Sequence, residues 1–378
     1  MNTPGILLMF HCEENTGYAI EKLEHTFREA ALNAGYYNDS IHYSYLKLQQ
    51  NKPNNHKISY WDESDKQDLA SIISKHKIQT VLAFDLSFPS WIASTARHHG
   101  AKRIISYWGA SMSSLNTGIK LALKKLEFKL KKSHAADLYI FESKAMQETA
   151  VFGRGIPAKR TTVINLGVDT DRFKPSTEPN FYTHDTFDIP REQKVVIYSG
   201  HMEERKGVAT LIKCAMFLAT EQNTSNFHFL ICGNKPGEEA TYLDMLGSSP
   251  ENYNVTFGGY RSDLPDIMRS ACIGVIASTG WDSFTMSSIE ILSSGRPLLV
   301  SKLQGLAETT IPGETGDFFP PGDYKKLAER LYSLTEDEAT YKSMCINARK
   351  RALTQFDQRQ QIESISSRII AGIDDPQN

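Results

Sequence analysis

Short runs of apolar, β-branched and aromatic residues alternate with longer stretches of helical period along almost the whole chain. In the first half, Gly5–His11, Thr80–Phe84, Arg103–Tyr107, Leu138–Phe141 and Thr161–Ile164 have strand length. Tyr18–Ala34, Lys66–His76, Ser114–Lys132 and Lys144–Phe152 carry helical spacing between them. The second half repeats the pattern. Lys194–Ser199, Phe227–Cys232, Asn254–Phe257, Cys272–Ala277 and Pro297–Ser301 read as strands, and Val208–Thr220, Glu238–Leu246, Leu264–Arg269, Ser287–Ser293 and Tyr324–Leu334 as helices. The tail from Glu336 to Ile373 reads as helical. Such alternation predicts an α/β protein with parallel, doubly wound sheets covered by helices on both faces.

A length of 378 residues suits two domains. The stretch 174–193, with Pro175, Pro179 and Pro190 among polar neighbours, reads as the linker. The expected division is an N-terminal domain over 1–175, joined by a C-terminal helix at about 357–378, and a C-terminal domain over 190–356. Two open parallel sheets facing each other would form a cleft, with ligands at the carboxyl ends of their strands.

Charge adds an asymmetry. The chain has 42 basic and 44 acidic side chains, but residues 1–175 hold 23 and 17 while residues 176–378 hold 19 and 27. A near-neutral chain that is 40% hydrophobic is neither disordered nor built for nucleic acid. Five scattered cysteines, Cys12, Cys214, Cys232, Cys272 and Cys345, form no CxxC pair, and buried thiols in a reducing compartment are the expectation. The apolar run Ile6–Phe10 is too short for a leader or a membrane span, so the reading is a cytosolic chain without a transmembrane helix.

Three motifs follow strands. Ser199-Gly200-His201-Met202-Glu203-Glu204-Arg205-Lys206-Gly207 offers a glycine turn, a helix N-terminus and two cations, the features that bind a diphosphate; a plain strand-to-helix turn is the alternative. It lacks the spacing of a Walker loop or of GxGxxG. In Trp281-Asp282-Ser283-Phe284-Thr285-Met286-Ser287-Ser288-Ile289-Glu290, a carboxylate at the helix start precedes another on the helix. Glu290 could accept two ribose hydroxyls, yet spacing alone favours a plainer reading, Asp282 as a cap and Glu290 solvated. The triplet Asp169-Thr170-Asp171 reads as a turn and cap at the domain junction, not a metal site.

The ordered series Asn165-x-Gly167-Val168-Asp169-x3-Phe173-x-Pro175, Gly200…Lys206-Gly207, Asp282-x7-Glu290, Gly295-x-Pro297 and Glu308…Gly316-x3-Pro320-x-Gly322-Asp323 resembles the family 4 retaining glycosyltransferases of the GT-B fold. The likeness is dense from about Thr161 to Leu334. It implies two Rossmann-like domains, a nucleotide-sugar donor held mainly by the second, and a last helix that crosses back to the first. By that resemblance Lys206 and Arg205 neutralise the donor diphosphate, and Glu290 holds the ribose. Asp282, Ser283 and the Phe284, Thr285 and Met286 backbone meet the sugar and β-phosphate, and Tyr260 and Arg261 lie near the base. Gly200 and His201 belong to the same loop, Gly17 permits a close backbone approach, and Glu308 is a further donor-side candidate. No metal or cofactor is implied, because the site itself neutralises the departing diphosphate.

Three positions depart from the family pattern: His201 stands where arginine is usual, Asp282 replaces a glutamate, and Tyr107-Trp108-Gly109 replaces a His-Gly. Trp108 is either a sugar platform or a core tryptophan, and His11, ending the first strand, is the other acceptor-side candidate. His98 and His99 read as surface residues. Finally, Ile119–Lys132 holds six lysines and one glutamate, with Ile119, Ala122, Leu123, Leu126 and Leu130 along one face. That face is expected to pack on its own domain's sheet. Peripheral contact of the lysines with an anionic membrane at its inner face is the alternative.

The expected function is retaining transfer of a hexose-type sugar from a UDP- or GDP-sugar to a saccharide or lipid-linked saccharide, in cell-surface glycan synthesis. The alternatives are a GT-B enzyme with a small-metabolite, water or phosphate acceptor, and a non-catalytic nucleotide-sugar-binding subunit.

Overall fold

The computed structural model describes residues 4–50, 52–178, 180–222, 226–247 and 250–371; Pro179 of the expected linker and residues 372–378 of the expected last helix lie outside them. The chain divides into one unit of Met1–Asn165 with Gln358–Asn378 and a second of Leu166–Asp357.

Among the described residues the first unit has a seven-stranded parallel sheet: β1 (Gly5–Met9), β2 (Ile41–Tyr45), β3 (Asn55–Lys57), β4 (Ile78–Phe84), β5 (Arg103–Trp108), β6 (Leu138–Phe141) and β7 (Thr161–Val163). The order is β3-β2-β1-β4-β5-β6-β7. Its helices are α1 (Tyr18–Asn33), α2 (Lys66–Lys75), α3 (Trp91–His98), α4 (Gly118–Leu130) and α5 (Lys144–Glu148). The interior strand β1, Gly-Ile-Leu-Leu-Met, is buried throughout, as a strand covered on both faces must be. Neither β2 nor β3 shows in the hydrophobic pattern. β2 reads Ile-His-Tyr-Ser-Tyr, with His42 and Ser44 buried on the face opposite Tyr45, and β3 is a polar edge strand.

In the second unit come α6 (Tyr182–Phe187), β8 (Lys194–Ser199), α7 (Val208–Thr220), β9 (Phe227–Cys232), α8 (Ala240–Leu246), β10 (Val255–Gly259) and α9 (Leu264–Ser270). They are followed by β11 (Ile273–Ile276), α10 (Met286–Ser293), β12 (Leu298–Ser301), β13 (Gly316–Phe319), α11 (Tyr324–Glu336) and α12 (Glu338–Gln355). The described strands form a six-stranded parallel sheet ordered β10-β9-β8-β11-β12-β13. One face packs on α7, α8 and α11, the other on α9, α10 and α12. The stretch read as a linker carries α6, fixed within this unit where Thr183 bonds Ile267 and Ser270 of α9.

The helical tail breaks twice. Asp337 caps α12 by accepting from the Thr340 amide, and the chain turns at Phe356-Asp357 before α13 (Gln358–Ile370). That last helix returns to the first unit, where Ile365 and Ile369 join Phe27, Ala30 and Ala31 of α1 in one core. Full burial of each isoleucine stabilises this docking by about 1.5–3 kcal/mol. No helix among the described residues is long and apolar enough to cross a membrane.

Candidate functional site

In an open parallel sheet, two neighbouring strands whose connections leave in opposite directions open a crevice at their carboxyl ends. Each sheet has one such point, β1/β4 in the first unit and β8/β11 in the second. Two of the sequence motifs follow β8 and β11, and His11 follows β1 at the other point.

In the second unit, β8 runs into Gly200–Glu203, a helical turn at Glu204–Lys206, and α7; β11 runs into Ser278–Asp282 and then α10. The two loops are joined by backbone bonds from the Thr279 and Gly280 amides to the Arg205 carbonyl at 2.8 and 3.3 Å. Gly207 makes this approach possible. It has φ +74°, and a Cβ on it would lie 1.8 Å from the Ala277 carbonyl oxygen. Gly207→Ala is therefore expected to lower Tm by about 2–8 °C and to weaken nucleotide binding. A calorimetric scan returning the native Tm would contradict this packing argument. Similarly, Gly233 after β9 (φ +107°) abuts the Gly200 carbonyl, where a Cβ would come within 2.2 Å.

Lys206 spans the crevice. Its Nζ donates to both Asp282 carboxylate oxygens at 3.0 Å. Asp282 is buried and also accepts from the Ser278 hydroxyl and the Ser283 amide. The aspartate thus holds the lysine at the crevice. α10 is capped by Thr285, whose hydroxyl oxygen accepts from the Ser288 amide, so Asp282 is not the cap. Glu290, on the second turn of α10, is 2% exposed, so it is not solvated. The first-turn amides of α10 have no partners within the helix and carry its positive dipole end.

Other residues land less simply. Arg205 pairs with Glu203 at 2.7 Å and donates to the Trp281 carbonyl, so its charge is partly offset. The Phe284 side chain lies in the core against Phe356, leaving its backbone as the part available at the helix start. Ser283, Thr285 and Met286 are partly exposed there, as is Glu308 after β12. His201 is exposed and its carbonyl accepts from Tyr198. Tyr260 presents a largely exposed ring beyond β10. Beside it Arg261 forms a two-point pair with Asp263, whose carboxyl it draws down to about 2. The Asp169 side chain accepts from the Asp171 and Arg172 amides, a turn cap.

At the β1/β4 point of the first unit, His11 stacks on Phe84 at 5.3 Å, with Nε2 3.4 Å from Asp85. Asp85 also accepts from the Gly109 amide. Burial, and then the Asp85 charge, push the Glu142 carboxyl well above its usual range. Trp108 is only 8% exposed and offers no open platform; Trp61, edge-on to His11 at 5.8 Å, is 70% exposed. Gly17 caps α1 with φ +126° and open space where a Cβ would stand. Sequence reasoning missed Asp85, Glu142, Trp61 and Ser278. The available signal was position, since Asp85, Glu142 and Ser278 each directly follow a predicted strand, whereas what they meet depends on which strands are neighbours.

The sequence profile of Glycosyl transferases group 1 matches residues 183–351, and that of Glycosyltransferase Family 4 matches residues 34–172. The D-inositol 3-phosphate glycosyltransferase of Corynebacterium diphtheriae is 25% identical over 196 residues, 50% of this chain and 46% of that one. The mannosylfructose-phosphate synthase of Agrobacterium fabrum is 28% identical over 233 residues, 57% and 51% of the two chains. The chain thus spans about half the length of the curated relatives it matches. Among solved structures, Anabaena HepE in complex with UDP superposes with a TM-score of 0.75 at 19% identity, covering 97% of this chain and 100% of that one. With both sheets parallel, two motifs at the second sheet's switch point and both profiles matched in order, the chain belongs to the family 4, group 1 glycosyltransferases of GT-B architecture.

Proposed function

We propose that this protein transfers a hexose-type sugar from a UDP- or GDP-sugar to a saccharide or lipid-linked saccharide, with retention at the anomeric carbon and without a metal. The observation that carries this reading is the Lys206 ammonium fixed by Asp282 at the β8/β11 crevice, beside the N-terminus of α10. A diphosphate leaving group needs positive charge already in place where its own charge grows. Lys206 and the first-turn amides of α10 supply it, Glu290 takes the ribose hydroxyls, and Tyr260 stacks on the base. The bond from the anomeric carbon to the β-phosphate oxygen breaks. The acceptor oxygen bonds to the same face of that carbon, and the acceptor's proton passes to the departing phosphate. The products are a nucleoside diphosphate and a glycoside, with no protein nucleophile. In this reading His11, 3.4 Å from Asp85, and the exposed Trp61 meet the acceptor sugar.

The lipid-linked acceptor is favoured by α4. Its stripe of Ile119, Leu123, Leu126 and Leu130 is 51–80% exposed, contrary to the expected packing on the sheet. At about 100° per residue, Phe128 lies on the opposite side of the helix from Ile119. It is Phe128 that is buried, against Phe88 at 4.9 Å. The helix covers its unit through that aromatic, which leaves the aliphatic stripe outward among the lysines. An apolar stripe flanked by Lys120 and Lys129 suits the surface of an anionic bilayer.

Thermal shift against UDP, GDP, ADP and their sugar conjugates, in chelator, tests the donor. One nucleotide at 100 times its Kd should raise Tm by about 5–10 °C. A shift obtained only with added divalent metal would overturn the metal-independent reading, and no shift from any nucleotide would overturn the donor reading.

A further inference from the structure

Three histidines far apart in sequence meet in the first unit. His42 is the second residue of β2, His56 the centre of β3, and His76 the residue that ends α2 just before β4. Ser44 pairs with His56 in the β2–β3 register, so His42, two residues earlier on the same face, is its diagonal neighbour. One ring nitrogen from each histidine lies within 4.8 Å of the others. His42 Nδ1 and His56 Nε2 are 3.2 Å apart, and the His42 and His76 ring centroids 4.1 Å apart. Nothing in the proposed transfer reaction uses them. They lie toward the amino ends of the strands, whereas His11 and Asp85 lie past the carboxyl ends.

We infer that His42, His56 and His76 form a binding site for one borderline divalent transition metal of the zinc class, which clamps the edge strand β3 to β2 and to the turn before β4. Zinc binds imidazole nitrogen at about 2.0–2.1 Å, so tetrahedral ligands stand about 3.3–3.4 Å apart. The His42–His56 pair already has that spacing, and rotation of His76 about its side chain closes the third edge. Water fills the fourth position. Three nitrogen donors select zinc, cobalt, nickel or copper over magnesium and calcium, which require oxygen. Metal ligation needs neutral imidazoles. Burial, followed by the neighbouring histidines, holds His42 down at about 4; burial and then His76 and Lys75 do the same for His56. Burial, and then Lys75, also lower His76. Lys75 is the cation facing the cluster, and the triad contains no carboxylate, so the site depends on its nitrogens alone.

The physical benefit is to β3, which holds only three residues and pairs on one side. A metal joining it to two other segments restricts the chain between residues 42 and 76 as a cross-link would. The full chain, stripped by chelator, should be titrated with Zn²⁺ alone against a competing dye, beside His56→Ala/His76→Ala. Both replaced residues are partly exposed, so the variant is expected to fold, which its metal-free Tm checks. The expected result is one Zn²⁺ per native chain, a Tm raised by about 5–10 °C at saturation, and affinity at least about tenfold weaker in the variant. Co²⁺ substitution should give a nitrogen–oxygen spectrum without thiolate charge transfer. No binding by the native chain, equal binding by the variant, or a thiolate spectrum from the cysteines would each overturn the site.

Discussion

Replacing Lys206 by methionine is expected to lower kcat/KM for sugar transfer by about 100- to 1,000-fold, in the range seen when one preorganised group facing a developing negative charge is removed. The loss should appear mostly in kcat. The diphosphate carries more charge in the transition state than in the bound donor, so the missing ammonium is felt most there. Asp282 is the reason this lysine matters. Two bonds at 3.0 Å from a buried carboxylate hold the ammonium at the crevice before any donor arrives. Asp282→Asn should therefore lower the rate too, by a smaller factor, because the ammonium remains but loses its fixed position. Removing one partner of a buried pair also costs stability, and Asp282 keeps its bonds from Ser278 and Ser283. Steady-state rates with a labelled donor, read beside the Tm of each variant, separate the two effects. A Lys206→Met protein within threefold of native kcat/KM would remove the donor assignment.

The second large effect is expected at α4. Vesicles rich in anionic lipid should bind the full chain at low salt, and neutral vesicles should bind it much less. Replacing Ile119, Leu123, Leu126 and Leu130 together by serine removes the surface that enters the bilayer boundary. Sedimented protein should then fall by at least about tenfold. Changing Lys120 and Lys129 to glutamine removes about 2 kcal/mol of attraction, roughly a 30-fold loss that high salt should mimic. The serine variant should retain its native fold, because the stripe makes no part of the core and Phe128 keeps the helix in place. Equal sedimentation of native and variant chains would show that the stripe serves another partner. Absence of native binding to anionic vesicles would end the membrane reading.

The two sheets, the order of most of their strands along the chain and the positions of the donor loops were legible in the sequence. Each depends on local pattern: buried parallel strands are continuous apolar runs, and helices carry their own period. The motif residues follow strands because a parallel sheet places its loops and helix starts at the carboxyl ends. That is why Lys206, Asp282 and Glu290 could be singled out after strands, although spacing alone favoured a cap and a solvated carboxylate and their roles came from the resemblance.

What the sequence left open was decided by contacts between distant residues. β2 and β3 are too polar to read as strands, and they exist because β1 and each other supply their backbone partners. The choice of face for α4 was made by Phe128 and the Phe88 ring, so an amphipathic pattern that suggested a covering helix left its apolar side exposed. The surroundings of Asp282 and Trp108 also depend on the tertiary structure. Lys206, Ser278 and Ser283 converge on the first, and the second is buried while Trp61 is exposed. Periodicity reports what a residue's own element needs. Strand neighbours, the packed face of a helix and the meeting of His42, His56 and His76 depend on which segments the fold brings side by side, and only the tertiary structure determines that.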